Sequence, residues 1–163
     1  MPNLKDMDAK EKNRNNKCIL AVWNSGTKGK TETVREFAKL LLATYTNYIE
    51  IFPIPASIPS KNDFRLVVNI NGLIVGIESQ GDPKTGLEKR LLELSDIYKC
   101  DLIVCTCRTR GETVWAVDSV AGSRGYETIW SSTYQVVGKN QQQVSNNLKA
   151  KHLLELLNSL GKI

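Results

Sequence analysis

Histidine is nearly absent from this sequence, and its one copy, His152, sits in a helical stretch where it reads as a helix-face residue and not as a catalytic base. No apolar run is long enough to cross a bilayer and the opening residues do not read as a secretion signal, so a membrane partner is not expected. Basic residues do not interleave with aromatic ones. The net charge of +5 is mild, so nucleic acid is not an expected partner, although the charge suits a phosphorylated ligand. No internal repeat occurs. The four cysteines, Cys18, Cys100, Cys105 and Cys107, do not spell out a metal centre, because Cys100-x4-Cys105-x-Cys107 lacks a fourth ligand. Cys105 and Cys107 share one face of one strand, too close in sequence for an ordinary disulfide. Reduced, buried thiols in a cytoplasmic protein are the expectation.

A hydrophobic share of 41% over 163 residues is enough for one domain with a sizeable core. Residues 1–17 are polar and lack apolar periodicity, so a flexible tail is expected there, with the domain over 18–163.

That domain is organised around residues 18–31, CILAVWNSGTKGKT. Cys18–Trp23 is a short apolar run. It ends in Asn24, Ser25, Gly26, Thr27, Lys28, Gly29, Lys30 and Thr31. An amphipathic helical pattern follows at once, with Val34, Phe37, Ala38, Leu41 and Leu42 on one face. Strand, glycine-bearing loop and helix make a phosphate cradle for physical reasons. Loop amides can surround a polyphosphate only where side chains do not block the approach, hence Gly26 and Gly29. The first helical turn, which includes Glu32, has unpaired N–H groups and the positive end of the helix dipole. Lys30 would set its ammonium between the β- and γ-phosphates, and Thr31 would offer its hydroxyl to Mg²⁺.

These residues resemble the Walker A motif of the P-loop NTPases, GxxxxGK[ST], with Asn24 in place of the first glycine. Asn tolerates a left-handed backbone better than most residues, which would preserve the turn. The resemblance implies a nucleoside triphosphate as ligand and Mg²⁺ as cofactor. Farther on, the apolar run 73–77 ends in Glu78-Ser79-Gln80-Gly81-Asp82. An acidic residue at the end of a buried strand resembles Walker B, with Glu78 the first metal-side candidate and Asp82 the second. Glu78-x-x-Gly81 is also similar to the DxxG segment of small GTPases, which implies that the backbone of Gly81 meets the γ-phosphate. The order of elements over 18–83 is similar to that family as well. No NKxD segment follows a later strand, so ATP is the default nucleotide and GTP has no support of its own.

Along the rest of the chain, a helix is expected over 30–45 with Glu32, Arg35, Glu36 and Lys39 on its outer face. A short strand follows at Ile49–Phe52, then a proline-broken loop over 53–63 whose length suggests a functional flap. Runs 64–70 and 73–77, joined by Asn71-Gly72, read as a tight antiparallel hairpin. A helix over 87–98, a buried strand over 101–107, a helix over 113–121 closed by Gly122, a strand at Glu127–Ser132 and a last helix over 144–160 complete the reading. The last helix is expected to align Leu148, His152, Leu156 and Leu160, with Leu153 and Leu157 beside that line, after a polar surface loop over 138–147. The result is an α/β/α three-layer sandwich on a mainly parallel sheet with one antiparallel hairpin strand, the P-loop NTPase fold.

Arg108 and Arg110 leave the strand over 101–107 on the side where an α/β sheet binds ligands, and are candidates for steadying phosphoryl charge or an anionic second substrate. Ser131, Ser132 and Thr133 are candidates for the base. Three functions are in view: Mg²⁺-dependent NTP hydrolysis with Gln80 or Glu78 orienting water; phosphoryl transfer to an acceptor held by Arg108, Arg110, Arg124 and Lys84; and a non-catalytic nucleotide switch.

Overall fold

The computed structural model describes residues 16–24 and 29–163. Most of the expected tail, and the loop residues Ser25, Gly26, Thr27 and Lys28, lie outside the described residues. Asn16 and Lys17 are tied down: Asn16 donates to the Gly161 carbonyl, and Lys17 accepts from the Glu127 amide.

Six strands, β1 (Cys18–Trp23), β2 (Ile49–Phe52), β3 (Arg65–Ile70), β4 (Leu73–Glu78), β5 (Leu102–Cys107) and β6 (Glu127–Ser132), form one sheet in the order β2-β3-β4-β5-β1-β6. Neighbours from β4 through β5 and β1 to β6 are parallel, and β3 runs antiparallel to both β2 and β4. The hairpin turn is as tight as its sequence suggests: Asn71 and Gly72 both have positive φ, 51° and 92°, the backbone that lets a two-residue link follow the twist of the strands.

Four helices among the described residues flank the sheet: α1 (Lys30–Thr44), α2 (Leu87–Asp96), α3 (Glu112–Arg124) and α4 (Lys139–Ser159). None is long and apolar enough to cross a membrane. Because strand side chains alternate between faces, β1 feeds two cores. Cys18, Leu20 and Val22 pack with Val34, Phe37 and Leu41 of α1 and with Leu153 and Leu157 of α4. Ile19 and Ala21 pack with Leu91 and Leu94 of α2 and with Val117 and Val120 of α3. Every residue of β5 is buried, as a parallel strand covered on both faces requires.

The helices differ from expectation in three places. α3 runs through Gly122 and ends at Gly125, whose left-handed φ of 74° allows the last turn to close on the Ala121 carbonyl. α4 begins at Lys139, five residues earlier than the polar segment suggested, and its expected line of Leu148, His152 and Leu160 is exposed. The face against α1 is carried by Leu153 and Leu157, expected beside that line, together with Asn146 and Ala150. Arg35, expected on the outer face of α1, is only 2% exposed. Its guanidinium donates to the carbonyls of Pro59 at 2.7 Å and Asn62 at 2.6 Å, pairs with Glu32, and lies 5.8 Å over the Phe64 ring. The loop over 53–63 is thereby anchored to α1.

Candidate functional site

β1 ends at the sheet's carboxyl edge, and α1 starts beyond it. Gly29 caps α1 in a left-handed conformation with φ 74° and, as a glycine, makes no side-chain cap bond to the first turn. Those amides, the glycine hinge and the Lys30 side chain open on a cleft of about 330 Å³. Its walls are Gly29, Lys30, Thr31 and Glu32 on one side and Ser79, Gly81, Asp82 and Thr106 on the other. Seven residues marked from sequence, Asn24, Gly29, Lys30, Thr31, Glu32, Gly81 and Asp82, come together at or beside this cleft.

Lys30 is 7% exposed, and its ammonium donates to the Asn24 carbonyl at 3.2 Å. Burial holds its pKa below the ordinary lysine value; the nearby positive charge of Arg108 adds to this, while Asp82 and Cys107 oppose it. A buried ammonium under repulsion gains from a polyanion beside it. Asn24 has no positive φ, so it does not stand in for glycine through its backbone. Its side chain instead donates to Thr133 and accepts from Gln135, joining the loop to the segment after β6. Thr133 is buried in that bond.

Gly81 packs on β5 so closely that a Cβ would lie 1.9 Å from the Thr106 carbonyl oxygen. The Thr106 hydroxyl donates to the Ser79 carbonyl at 2.7 Å, and together these contacts fix the segment after β4 across the end of β5.

Glu78 does not reach the cleft. It is in register with Cys105, two residues short of the end of β5, and it shares the α2 face of the sheet with that residue. It is 1% exposed; Arg65 donates to one oxygen at 2.8 Å and Arg90 lies 3.6 Å from the other. Burial raises its pKa despite both arginines. The carboxylate is thus committed to a structural cluster with Arg65 and Glu93. Ser79, one residue on, emerges on the opposite face and lines the cleft. Gln80 gives its backbone N–H to Glu78 at 3.4 Å and is not a wall of the cleft.

Arg108 binds Asp82, with Nε and Nη2 each 3.0 Å from Oδ1, which places its charge at the rim near Lys30. Arg110 is exposed and does not line the cleft. Of the four residues expected to form an acceptor pocket, Arg124 stands apart from the other three. Arg124 makes a two-pronged pair with Asp96 at the far end of α3, about 18 Å along that helix from its start. Lys84 gives its backbone amide to Glu112, at the start of α3 just after Arg108 and Arg110.

Sequence reasoning missed Ser79, Thr106 and Asp63. Asp63 accepts from the Ser79 hydroxyl at 2.9 Å and from the Thr31 hydroxyl at 3.5 Å. Strand alternation could have indicated Ser79. Nothing local marks Asp63, which reaches the site only because Arg35 anchors its loop.

The chain matches no family model, no curated protein and no solved structure. What places it among known proteins is the α/β architecture itself, a six-stranded mixed sheet with an antiparallel hairpin.

Proposed function

We propose that this protein is a P-loop NTPase that binds and hydrolyses a nucleoside triphosphate, ATP by default, with Mg²⁺. The observation that carries the reading is Lys30: a buried ammonium in the first turn of α1, directly after left-handed Gly29, in a cleft with Thr31 and Asp82. First-turn amides and an ammonium supply the donors that a polyphosphate needs on several sides. Arg108 can transfer from Asp82 to a phosphoryl oxygen, because both lie at the same rim.

Magnesium takes hard oxygen donors, and the cleft offers the hydroxyls of Thr31 and Ser79 and the carboxylate of Asp82, so the residues fit. No group of three or more His, Cys, Asp and Glu side chains is placed to hold a metal among the described residues. Hydroxyls and phosphate oxygens would therefore supply much of the coordination. When bound, the ion would offset the charge that develops on the phosphates. The residues of the chain bind and orient: Lys30 and the α1 amides hold the phosphates, Thr31 faces the ion, and the close packing of Gly81 on Thr106 keeps the opposite wall rigid.

The test is a thermal-shift panel of nucleotides with and without Mg²⁺, since a ligand bound only by the folded state raises the melting temperature. A triphosphate should stabilise the wild-type protein, and Lys30→Ala should abolish that shift and the release of phosphate. A Lys30→Ala variant that keeps both removes the reading. Turnover that strictly requires a small-molecule acceptor would turn it into phosphoryl transfer, and tight binding without turnover into a switch.

A further inference from the structure

Resting on the P-loop reading, we propose that Asp63 sets the metal-side hydroxyls of the cleft, in place of a strand-end acid. In this role it accepts the hydrogen bonds of the Ser79 and Thr31 hydroxyls and leaves their lone pairs to a divalent cation bound with the triphosphate.

A hydroxyl carries one hydrogen and two lone pairs. To face a cation it must give its hydrogen to an acceptor elsewhere. Asp63 Oδ1 is that acceptor for both hydroxyls, at 2.9 Å from Ser79 Oγ and, at longer range, 3.5 Å from Thr31 Oγ1. Ser79 Oγ also accepts the Phe64 amide at 2.7 Å, which fixes its orientation and leaves one lone pair. Thr31 and Ser79 are walls of the cleft, whereas Asp63 is an exposed residue outside its lining. The other acids near the site pair with arginines: Glu32 with Arg35, Asp82 with Arg108 at the rim, and Glu78 with Arg65 and Arg90 on the far face of the sheet.

The position of Asp63 is not accidental to the fold. Its loop is held to α1 by the two carbonyl bonds of Arg35, and Arg35 lies one helical turn beyond Thr31. At its other end Asp63 adjoins Phe64, whose carbonyl accepts from the Ser79 amide and whose own amide donates to Ser79 Oγ. α1, the loop and the end of β4 thus converge on one carboxylate. Asp63 is a positioning residue, because it acts through the two hydroxyls.

The experiment uses the full chain loaded with a β,γ-imido analogue of ATP, with Mn²⁺ as the probe ion read by electron paramagnetic resonance. A parallel titration measures affinity for the analogue in EDTA. Asp63→Ala should weaken Mn²⁺ binding by roughly 10- to 100-fold, the scale on which loss of an outer-shell partner acts. Metal-free affinity for the analogue should stay near that of the wild type. Asp63→Asn, which keeps an acceptor oxygen and loses the charge, should recover part of the loss. Ser79→Ala should weaken Mn²⁺ binding too, and the double variant should lose little more than the worse single one, because the two groups act as a unit. If Asp63→Ala lowers analogue affinity equally with and without metal, Asp63 is only a loop staple and the proposal is overturned. Wild-type Mn²⁺ affinity in Asp63→Ala, with nucleotide bound, overturns it while leaving the P-loop reading intact. If the wild-type chain takes up no nucleotide at all, both readings fail.

Discussion

Replacing Arg35 tests how the fold delivers a loop to the cleft. Arg35→Met keeps most of the aliphatic stem and removes the guanidinium. Two charge-assisted bonds to the Pro59 and Asn62 carbonyls are lost, each worth about 1.5–3 kcal/mol. Glu32 is half exposed, so its pair with Arg35 adds at most about 1 kcal/mol. Pro59 and Asn62 are themselves exposed, and their freed carbonyls regain water in part, which favours the low end. The expected loss is about 3 kcal/mol, or roughly 6–12 °C in melting temperature for a domain of this size. Urea denaturation followed by circular dichroism measures the first quantity. Limited trypsinolysis measures the second consequence, because exposed Lys61 lies in the anchored loop: cleavage there should precede global unfolding in the variant and not in the wild type. A loss below about 1 kcal/mol with unchanged cleavage would refute the claim that Arg35 holds the loop.

Two further outcomes follow from the site. Gly81→Ala forces a methyl against the Thr106 backbone; it should cost about 1–3 kcal/mol as an overpacked contact and shrink the nucleotide-dependent thermal shift, and a variant with wild-type values in both would show that the close approach is unimportant. Glu78 has a raised folded pKa because burial outweighs its arginines, so its share of stability is fully present below the ordinary carboxylate pKa and is lost as pH rises through the raised value. Glu78→Gln should therefore gain on the wild type in melting temperature as pH rises above the ordinary carboxylate range, and a gain on acidification instead would reverse the assignment.

Much of the architecture was legible along the chain. The Asn71-Gly72 turn, the doubly buried run that became β5 and the glycine-lysine-threonine start of α1 were readable, since each depends on local backbone preference or on apolar periodicity; the grouping of Gly81 and Asp82 near α1 was expected only from the family resemblance. Glu78 shows where that reading stops. Its position at the end of an apolar strand was visible, but which face it takes, and whether arginines wait there, depends on β3 and α2. The same holds for Arg35: helical spacing placed it outside, and the loop over 53–63 folded back to bury it.

The sequence by itself determined the sheet's strands, the hairpin and the amide-and-ammonium start of α1, because these follow from interactions between residues close together in the chain. Only the tertiary structure decided which carboxylate attends the cleft. Strand alternation turned Glu78 toward α2 and Ser79 toward α1, and the anchored loop brought Asp63 to Ser79 from sixteen residues away. Charged side chains go where distant partners compensate their desolvation, and no local pattern encodes where those partners lie.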